Sequence, residues 1–287
     1  MSGRVLSATT LCATPAASDG HRRVLLSLVV VGLLWPTSAR AQQPFATDDA
    51  EVTPRGWVHV EAFNEFDWLQ ASQAPHVQQN TVNMRVNYGL GRGLELDLDS
   101  PLIAIFNNTT TSPRRPVGIG DTNFGLKYTL RTERPDARMP ALTAAAYLET
   151  PTGDKTTGLG SGLTDVWVYG VVQKTLALPL ILRVNAGYLF TGNTSTGVVG
   201  LTNARGHIAT MAGSLNRRIT ERLTFGGEVS AAVANDAGRD RAQLQALLGS
   251  TYALSERLTL EVGLTAGHYA ASPRVGVQVG FALDVPK

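Results

Sequence analysis

The chain has 287 residues, a formal net charge of +2, and a composition that is 43% hydrophobic and 17% charged. This balance excludes a disordered tail. No apolar run approaches the roughly 20 residues of a spanning helix, which excludes a helical membrane bundle. A mean hydropathy near zero suits a soluble β-protein and equally a membrane β-barrel, in which the hydropathies of outward and inward residues cancel.

The first 41 residues have the pattern of a cleaved export signal. A positive stretch, His21–Arg23, precedes the apolar run Val24–Leu34, and an A-x-A cleavage site follows at Ala39–Ala41. The apolar run is too short for a membrane anchor, which is the alternative interpretation. We therefore expect a signal peptide over residues 1–41 and a mature chain that begins at Gln42.

Removal of the signal changes the charge and the thiol content. The chain would keep 21 basic and 22 acidic residues, and it would lose Cys12, its only cysteine. Nothing in this balance indicates a nucleic-acid partner. The remaining histidines, His59, His76, His207 and His268, lack the spacing of metal ligands. The sequence therefore predicts no metal site and no cofactor.

The rest of the chain is a succession of segments with period-two alternation, as in strands with one apolar and one polar face. The clearest is Thr81–Leu90, in which Val82, Met84 and Val86 alternate with Asn83 and Arg85. The pattern predicts about twelve strands: Val58–Trp68, Thr81–Leu90, Leu94–Asp99, Asp121–Arg131, Leu142–Glu149, Thr164–Lys174, Leu182–Phe190, Gly206–Arg217, Leu223–Ala234, Ala242–Ala253, Leu258–Tyr269 and Arg274–Leu283.

The connections between these strands alternate in length. Those after even-numbered strands are mostly short, such as 91–93 and 254–257, and those after odd-numbered strands are mostly longer, such as 151–163 and 191–205. Short periplasmic turns and long outer loops are typical of outer-membrane barrels. This arrangement places both chain ends in the periplasm, so we expect residues 42–56 to form a periplasmic N-terminal segment before the barrel domain.

The alternation alone does not say which face is inside. A soluble sandwich or lipocalin would bury the apolar face, whereas a membrane barrel would turn it to lipid. The strand number, the export signal and an aromatic girdle at one end favour the membrane. We predict an all-β, antiparallel up-and-down transmembrane barrel of about 12 strands, with outer-membrane lipid and the barrel-insertion machinery as partners. The girdle residues are Tyr88, Tyr128, Phe225, Tyr252 and Phe281.

Charged residues on the polar face are the candidate lumen and selectivity residues. Four acids are predicted to lie at one height near the outer end, where they would favour cations or neutral solutes. The alternative is that the charges pair across strands and fill the lumen. The four acids are Asp99, Asp121, Glu149 and Asp165, and the other candidates are Arg85, Lys127, Arg183, Glu228 and Glu261.

Several segments resemble the outer-membrane transporter family named for the MetA pathway of phenol degradation. The segments are Pro44–Phe66, Gly118–Tyr128, Glu149–Val166 and Asn185–Asn193. The resemblance implies an outer-membrane barrel that passes small aromatic or hydrophobic compounds. The chain departs from a common barrel ending, because six residues follow the last aromatic residue, Phe281.

We therefore expect a passive channel or transporter for a small-molecule solute, with no catalytic residue. Two other functions stay open. The first is a closed structural or adhesive barrel that works through its outer loops. The second is an outer-membrane lipid hydrolase, which would need a serine activated by a histidine, with His268 and Ser272 as the nearest pair. The glycine-rich stretch Gly158–Gly162 lacks the helix and lysine of a phosphate-binding loop.

Overall fold

The computed structural model describes residues 44–106, 112–134, 138–177, 179–190, 207–234 and 242–287. The expected signal peptide, residues 1–41, and the expected mature N-terminus at Gln42 lie outside the described residues. Within the described part of the chain, no helix is both long and apolar enough to span a membrane.

The described chain forms one closed antiparallel barrel. Each strand pairs with its neighbours in sequence, and β1 pairs with β13 to close the sheet. β4 and β5 both pair with β3 and together occupy one position, so the barrel wall has twelve positions. The predicted twelve-strand up-and-down barrel is confirmed. The strands are β1 Val58–Trp68, β2 Gln78–Gly91, β3 Leu94–Phe106, β4 Val117–Ile119, β5 Thr122–Arg131, β6 Ala141–Thr150, β7 Asp165–Ala177, β8 Leu180–Phe190, β9 His207–Arg218, β10 Leu223–Ala234, β11 Gln243–Ala253, β12 Leu258–His268 and β13 Val275–Val285.

The direction in which side chains face follows the predicted alternation. Leu96, Leu98 and Phe124 on the outer face keep 43%, 42% and 51% of their surface exposed, whereas inward Glu95 and Lys127 are each 2% exposed. A soluble sandwich would need the opposite arrangement, because an apolar face in water is unfavourable. The structure therefore excludes the soluble alternative and has the facing of a membrane barrel.

β3 is longer than the alternation predicts. It continues to Phe106, and in its last part Ile103 and Ile105 face inward and are almost fully buried. They pack with Leu159 from the connection after β6. Apolar residues on the inward face interrupt the apolar–polar alternation, which is why the sequence analysis ends this strand early.

The two ends of the barrel differ as predicted. The end that carries β1's first residue has short connections, and we call it the turn end. The tightest turn there is Gly91–Gly93, in which all three residues have positive φ, a conformation that glycine adopts without strain. The opposite end, with connections such as 69–77 and 151–164, is the loop end, and outer-membrane barrels typically have their longer loops on the side of the cell exterior.

Candidate functional site in the barrel lumen

The N-terminal residues lie inside the barrel. Residues 42–56 are predicted from the sequence to lie in the periplasm, but residues 44–54, called here the lumen segment, contact inward-facing side chains. At Gly89 of β2, a side chain would collide with the Pro54 carbonyl group. Farther along, the Thr53 amide donates a hydrogen bond to the Glu95 carboxylate of β3. The prediction of a periplasmic location is therefore corrected for this segment.

Asp48 is the most densely bonded residue of the lumen segment. Its carboxylate accepts a hydrogen bond from the Lys127 ammonium group at 2.7 Å and one from the Tyr169 hydroxyl at 2.7 Å. The Asn185 side-chain amide meets the Asp48 backbone, accepting from its N–H at 2.7 Å and donating to its carbonyl at 3.2 Å. Three strands, β5, β7 and β8, therefore hold this one residue.

The next two residues extend these contacts. Asp49 accepts a hydrogen bond from Lys127 at 3.2 Å and lies 3.9 Å from the Arg183 guanidinium group. The Ala50 carbonyl accepts a hydrogen bond from the Thr143 hydroxyl at 2.6 Å. Ala50 itself is buried in a cluster with Ala141, Ala145, Tyr169 and Val171. The segment is thus packed as well as charge-paired.

Glu228 of β10 holds the leading end of the lumen segment. Its two carboxylate oxygens accept hydrogen bonds from the backbone amides of Thr47 at 2.6 Å and Ala46 at 3.1 Å. Pro44 lies against Gly249 of β11, where a side chain would collide with its ring. The segment therefore crosses the lumen from β2 to β11, and it occupies the space that an open pore would need.

Three aromatic side chains form a stack on the inner wall beside the segment. The ring centroids of Trp167 and Tyr169 lie 4.2 Å apart, and those of Tyr147 and Tyr169 lie 5.9 Å apart. Each polar tip is bonded: the Tyr147 hydroxyl donates to Asp97 at 2.6 Å, and the Trp167 indole N–H donates to Thr210 at 3.0 Å. Because the polar groups of these side chains are hydrogen-bonded, the rings are held in place and their faces form a rigid apolar surface.

A cavity of about 210 Å³ lies between the lumen segment and the loop end. Pro44 and Ala46 of the segment line one side of it, and Phe63, Trp167 and Leu247 add apolar walls. Polar groups converge on the rest of the cavity: Glu65, Asn83, Arg85, Asp99, Asn185, Gln243, Gln245 and Gln278. An apolar pocket with a few polar groups is the usual form of a small-molecule site.

The four acids of the predicted selectivity row have different roles. Asp99 lies 3.2 Å from the Arg85 guanidinium group, which also lies 3.5 Å from Glu61. β2 brings Arg85 directly opposite Asp99, which is the cross-strand pairing that the sequence leaves open as an alternative. Cross-strand pairing of opposite charges neutralises Asp99.

Asp121 is an anchor for an outer connection. Its carboxylate accepts hydrogen bonds from the backbone amides of Gly153 at 3.0 Å and Ser161 at 2.6 Å. Glu149 and Asp165 are directly opposite each other on β6 and β7, as predicted. Glu149 and Asp165 are therefore cross-strand neighbours on the inner wall.

Of the remaining candidates, Lys127, Arg183 and Glu228 bind the lumen segment, and Arg85 pairs with Asp99. Glu261 of β12 is 2% exposed, and neither of its carboxylate oxygens has a hydrogen-bond partner among the described residues. The predicted girdle residues all lie exposed on the outer face: Tyr88, Tyr128, Phe225, Tyr252 and Phe281.

The structure gives the hydrolase alternative no nucleophile at the expected place. Ser272 is fully buried, and its hydroxyl accepts a hydrogen bond from the Leu244 amide at 3.0 Å and donates to the Leu244 carbonyl at 3.2 Å. His268 is exposed on the outer face.

Within the described residues, no group of three or more histidine, cysteine or acidic side chains is arranged to hold a metal ion.

The residues of the lumen segment, above all Asp48 and Asp49, are not among the site residues predicted from the sequence. One signal points to them. Arg183 faces inward on β8, and its cross-strand neighbours Gln173 and Ser214 carry no charge. An inward guanidinium group without an acid beside it indicates a partner from elsewhere in the chain.

Comparisons with known proteins find similarity in the fold of solved structures. No protein-family model and no curated protein matches this chain. The COG4313 outer-membrane channel from Pseudomonas putida F1 is similar with a TM-score of 0.59 and 15% identity, over 82% of this chain and 98% of that one. The NanC porin is similar with a TM-score of 0.51 and 10% identity, over 79% and 98%. The KdgM porin in complex with disordered oligogalacturonate gives 0.51 and 10%, over 78% and 98%. The barrel fold of this chain thus resembles that of Gram-negative outer-membrane proteins.

Proposed function

We propose that this protein is an outer-membrane channel for small solutes whose lumen is closed at rest by its own N-terminal segment. The contact between Lys127 and Asp48 carries the proposal, because it joins the barrel wall to the lumen segment by a buried ion pair. The pair is supported by Tyr169, Glu228 and Thr143, each of which bonds the same segment. A barrel with a filled lumen becomes a channel when the filling segment moves.

The contacts that hold the segment suit a reversible closure. They are hydrogen bonds, ion pairs and packing, which includes the buried Phe45, and the segment continues into β1 only through residues 55–57 at the turn end. A hydrogen bond to a charged group contributes about 1.5–3 kcal/mol. A few such bonds hold the segment firmly. Loss of one or two of them lowers the free energy of docking enough for the segment to leave the lumen by thermal motion.

The cavity next to the segment supports an aromatic or apolar solute. Its volume of about 210 Å³ exceeds the roughly 150 Å³ that accepts a benzene ring in a protein interior. Phe63 and Trp167 offer ring faces, and the amide groups opposite can orient a polar substituent. The resemblance to the MetA-pathway transporter family points to the same class of small aromatic or hydrophobic compounds.

Liposome swelling tests the proposal. Vesicles with the purified barrel are diluted into isotonic solutions of aromatic acids and of sugars of matched size. We expect swelling near background for the wild-type barrel, which is closed at rest, and faster swelling with the aromatic acids than with the sugars when Asp48→Asn removes the charge that holds the segment. Equal, background-level swelling for every solute and for both proteins would contradict a channel function.

The closed lumen also favours one other function, a structural or adhesive barrel that works through its outer loops. The two functions differ in a single-channel recording. A purely structural barrel passes no current in any variant, whereas a closed channel passes current once the segment is weakened.

We further propose that the protein reaches the outer membrane by export and insertion. The apolar outer face and the exposed aromatic residues at the turn end support contact with lipid. Mass spectrometry of the purified protein should find an N-terminus at Gln42, as expected for cleavage after Ala41. Retention of the apolar run Val24–Leu34 would contradict a cleaved signal.

A further inference from the structure

Inward-facing glycines form a flat strip on the inner wall of the barrel. Gly226 of β10 pairs with Gly249 of β11, and Gly249 pairs with Gly263 of β12, so these residues lie side by side across neighbouring strands. Each of them is buried on the inner face. A glycine within a strand often marks a place where a ligand or another part of the chain approaches closely. We call Gly226, Gly249 and Gly263 the glycine recess.

The rings at the leading end of the lumen segment fill this recess. A Cβ atom at Gly226 would lie 2.8 Å from Cζ of Phe45, and one at Gly263 would lie 2.9 Å from Cβ of Pro44. At Gly249, between them, a Cβ atom would collide with the Pro44 ring and lie 3.3 Å from Cζ of Phe45. Phe45 is 3% exposed. The recess therefore already holds a planar aromatic ring, and a ring of that size fits there.

An amide side chain flanks the recess at each end. Asn216 of β9 is the cross-strand neighbour of Gly226, and Gln278 of β13 is that of Gly263. A Cβ atom at Gly226 would collide with Asn216 Oδ1, and one at Gly263 would lie 3.1 Å from Gln278 Oε1. Asn216 is 5% exposed and Gln278 is 6% exposed, and neither side-chain oxygen has a hydrogen-bond partner among the described residues. Two buried acceptors therefore point into the recess.

Hydrogen bonds of the amide nitrogens set the direction of these oxygens. Gln278 Nε2 donates to the Glu65 carboxylate at 2.9 Å, and Asn216 Nδ2 donates to the Ser214 hydroxyl at 3.3 Å. A carboxylate only accepts hydrogen bonds, so Gln278 cannot exchange its nitrogen and oxygen without losing this bond. A buried acceptor without a donor is unfavourable, and the rings of the lumen segment carry no N–H or O–H group. A ring with such a donor would suit the recess better than the segment does.

The cavity beside the lumen segment adjoins the recess. Pro44 and Gln278 belong to the lining of the cavity as well as to the recess. Leu247, another lining residue, has its Cδ2 atom 3.1 Å from the position of a Cβ atom at Gly249. Pro44 thus lies between the cavity and the glycine row. A solute held in the cavity is next to the recess when the leading end of the segment moves away.

We propose that the glycine recess binds a planar aromatic solute with an N–H or O–H donor, and that this solute opens the barrel by taking the place of Pro44 and Phe45. The inference rests on the proposed channel function and adds to it the site at which solute and segment compete. The ring lies on the glycine row as Phe45 does, and its donor bonds to Asn216 or Gln278. Because the solute binds only after the segment has left, it shifts the equilibrium towards the released state.

Maleimide labelling of a Thr47→Cys protein in detergent micelles tests the proposal. Thr47 is fully buried in the docked segment, so the labelling rate reports release. Two planar probes of the same shape are compared at equal concentration: indole, whose N–H group only donates, and indene, which has a CH₂ group in that position. Indole should raise the labelling rate, and the rate with indole should exceed the rate with indene about fivefold, as expected for one hydrogen bond to a buried acceptor.

Variants of the flanking amides locate the donor contact. Asn216→Leu and Gln278→Leu each replace one amide oxygen by apolar atoms, and at least one of them should abolish the preference for indole over indene. Asn216→Leu should also slow labelling without solute, because the docked state no longer buries that oxygen without a partner. Asn87→Leu is the matched control. Asn87 lies on β2, away from the glycine row, and its buried side-chain oxygen also has no partner among the described residues; its loss should leave the preference unchanged.

Two results would overturn the proposal. One is an equal labelling rate with indole and with indene, whether or not it exceeds the rate without solute. The other is a preference for indole that persists in both Asn216→Leu and Gln278→Leu, which would place the donor contact outside the recess. Faster swelling of the Asp48→Asn barrel with aromatic acids than with sugars would still support the channel function in either case, so the two failures are distinguishable.

Discussion

The Lys127 ammonium group lies 2.7 Å from the Asp48 carboxylate, a contact between residues 79 positions apart that joins β5 to the lumen segment. Both side chains are almost fully buried. The pair places a positive charge of the wall against a negative charge of the segment in a space of low polarity, where such attraction is strong. The segment is therefore a bound part of the barrel, and its release depends on specific side chains.

Replacing Lys127 should release the lumen segment. Lys127→Met leaves Asp48 and Asp49 without their ammonium partner, and removing one member of a buried ion pair typically costs about 3–5 kcal/mol. The cost falls on the docked segment, since the barrel strands lose no ladder bond. With Thr47→Cys as the thiol probe, the maleimide labelling rate should rise about a hundredfold or more.

Lys174→Met is the matched control for this variant. Lys174 lies 2.5 Å from Glu133 of the β5–β6 turn, away from the lumen segment. Its loss should leave the Thr47→Cys labelling rate unchanged. Equal labelling rates in the Lys127→Met and Lys174→Met proteins would mean that the Lys127 contact does not hold the segment.

Adding one methyl group at Gly89 should also displace the segment. Gly89→Ala places a Cβ atom where the Pro54 carbonyl group lies, and the atoms it meets are backbone atoms of Thr53 and Pro54, so no flexible side chain can yield. Overpacking of this kind costs about 1–3 kcal/mol. Faster hydrogen exchange at the Thr53 amide would report the displacement. Gly170→Ala is the control, because the nearest atom to its new methyl group is the Thr143 carbonyl oxygen at 3.9 Å; faster exchange in that variant as well would argue against a local cause.

The two faces of β2 should differ in their tolerance of charge. Val86 is exposed on the outer face, so Val86→Arg should cost roughly 2–4 kcal/mol near mid-bilayer. Asn87→Arg turns the new charge inward, where Asp97 is the opposite residue on β3 and can pair with it. Unfolding titrations in lipid vesicles measure both. Similar losses in the two variants would contradict the assignment of lipid and lumen faces.

The connection between β1 and β2 should loosen in acid because of His76. Burial, opposed by a hydrogen bond with Gln79, lowers the pKa of His76 from 6.5 to about 4, so the open loop takes up a proton at a higher pH than the closed loop. The free energy that holds the loop is fully present above about pH 6.5 and is lost as the pH falls towards 4. Amide exchange at Leu69 and His76, corrected for intrinsic rates, should accelerate over this range. His76→Gln should abolish the pH dependence, and its persistence there would assign the effect to another group.

The barrel could be predicted from the sequence because the alternation of inward and outward residues is a local pattern. Residues such as Glu95 and Leu96 alternate along a strand, and period-two alternation fixes the face of each one without knowledge of any partner. The pairing of Arg85 with Asp99 also follows once the short turn between β2 and β3 sets the register. Fold, strand order and facing depend on such near neighbours.

The closure of the lumen could not be predicted in the same way. The run Thr47–Ala50 is short, polar and acidic, which is typical of an exposed segment, and no periodic pattern distinguishes it from one. Its partners Lys127 and Glu228 lie 79 and 181 positions away. Docking of this kind depends on the shape and charge of the completed barrel. Neither property can be predicted from the sequence of the docked segment alone.

A reversible crosslink between the lumen segment and the wall tests the central claim most directly. The Thr143 hydroxyl lies 2.6 Å from the Ala50 carbonyl oxygen, so Ala50→Cys with Thr143→Cys places two thiols on neighbouring residues, which a short disulfide-containing crosslinker can join in the docked state. In a Lys127→Met background, liposome swelling with a small aromatic acid is measured before and after reduction, beside both single-cysteine proteins. The account predicts background swelling in the crosslinked protein and a rise on reduction, with no effect of reduction in the single-cysteine controls. Swelling that persists unchanged in the crosslinked protein would contradict closure by the lumen segment.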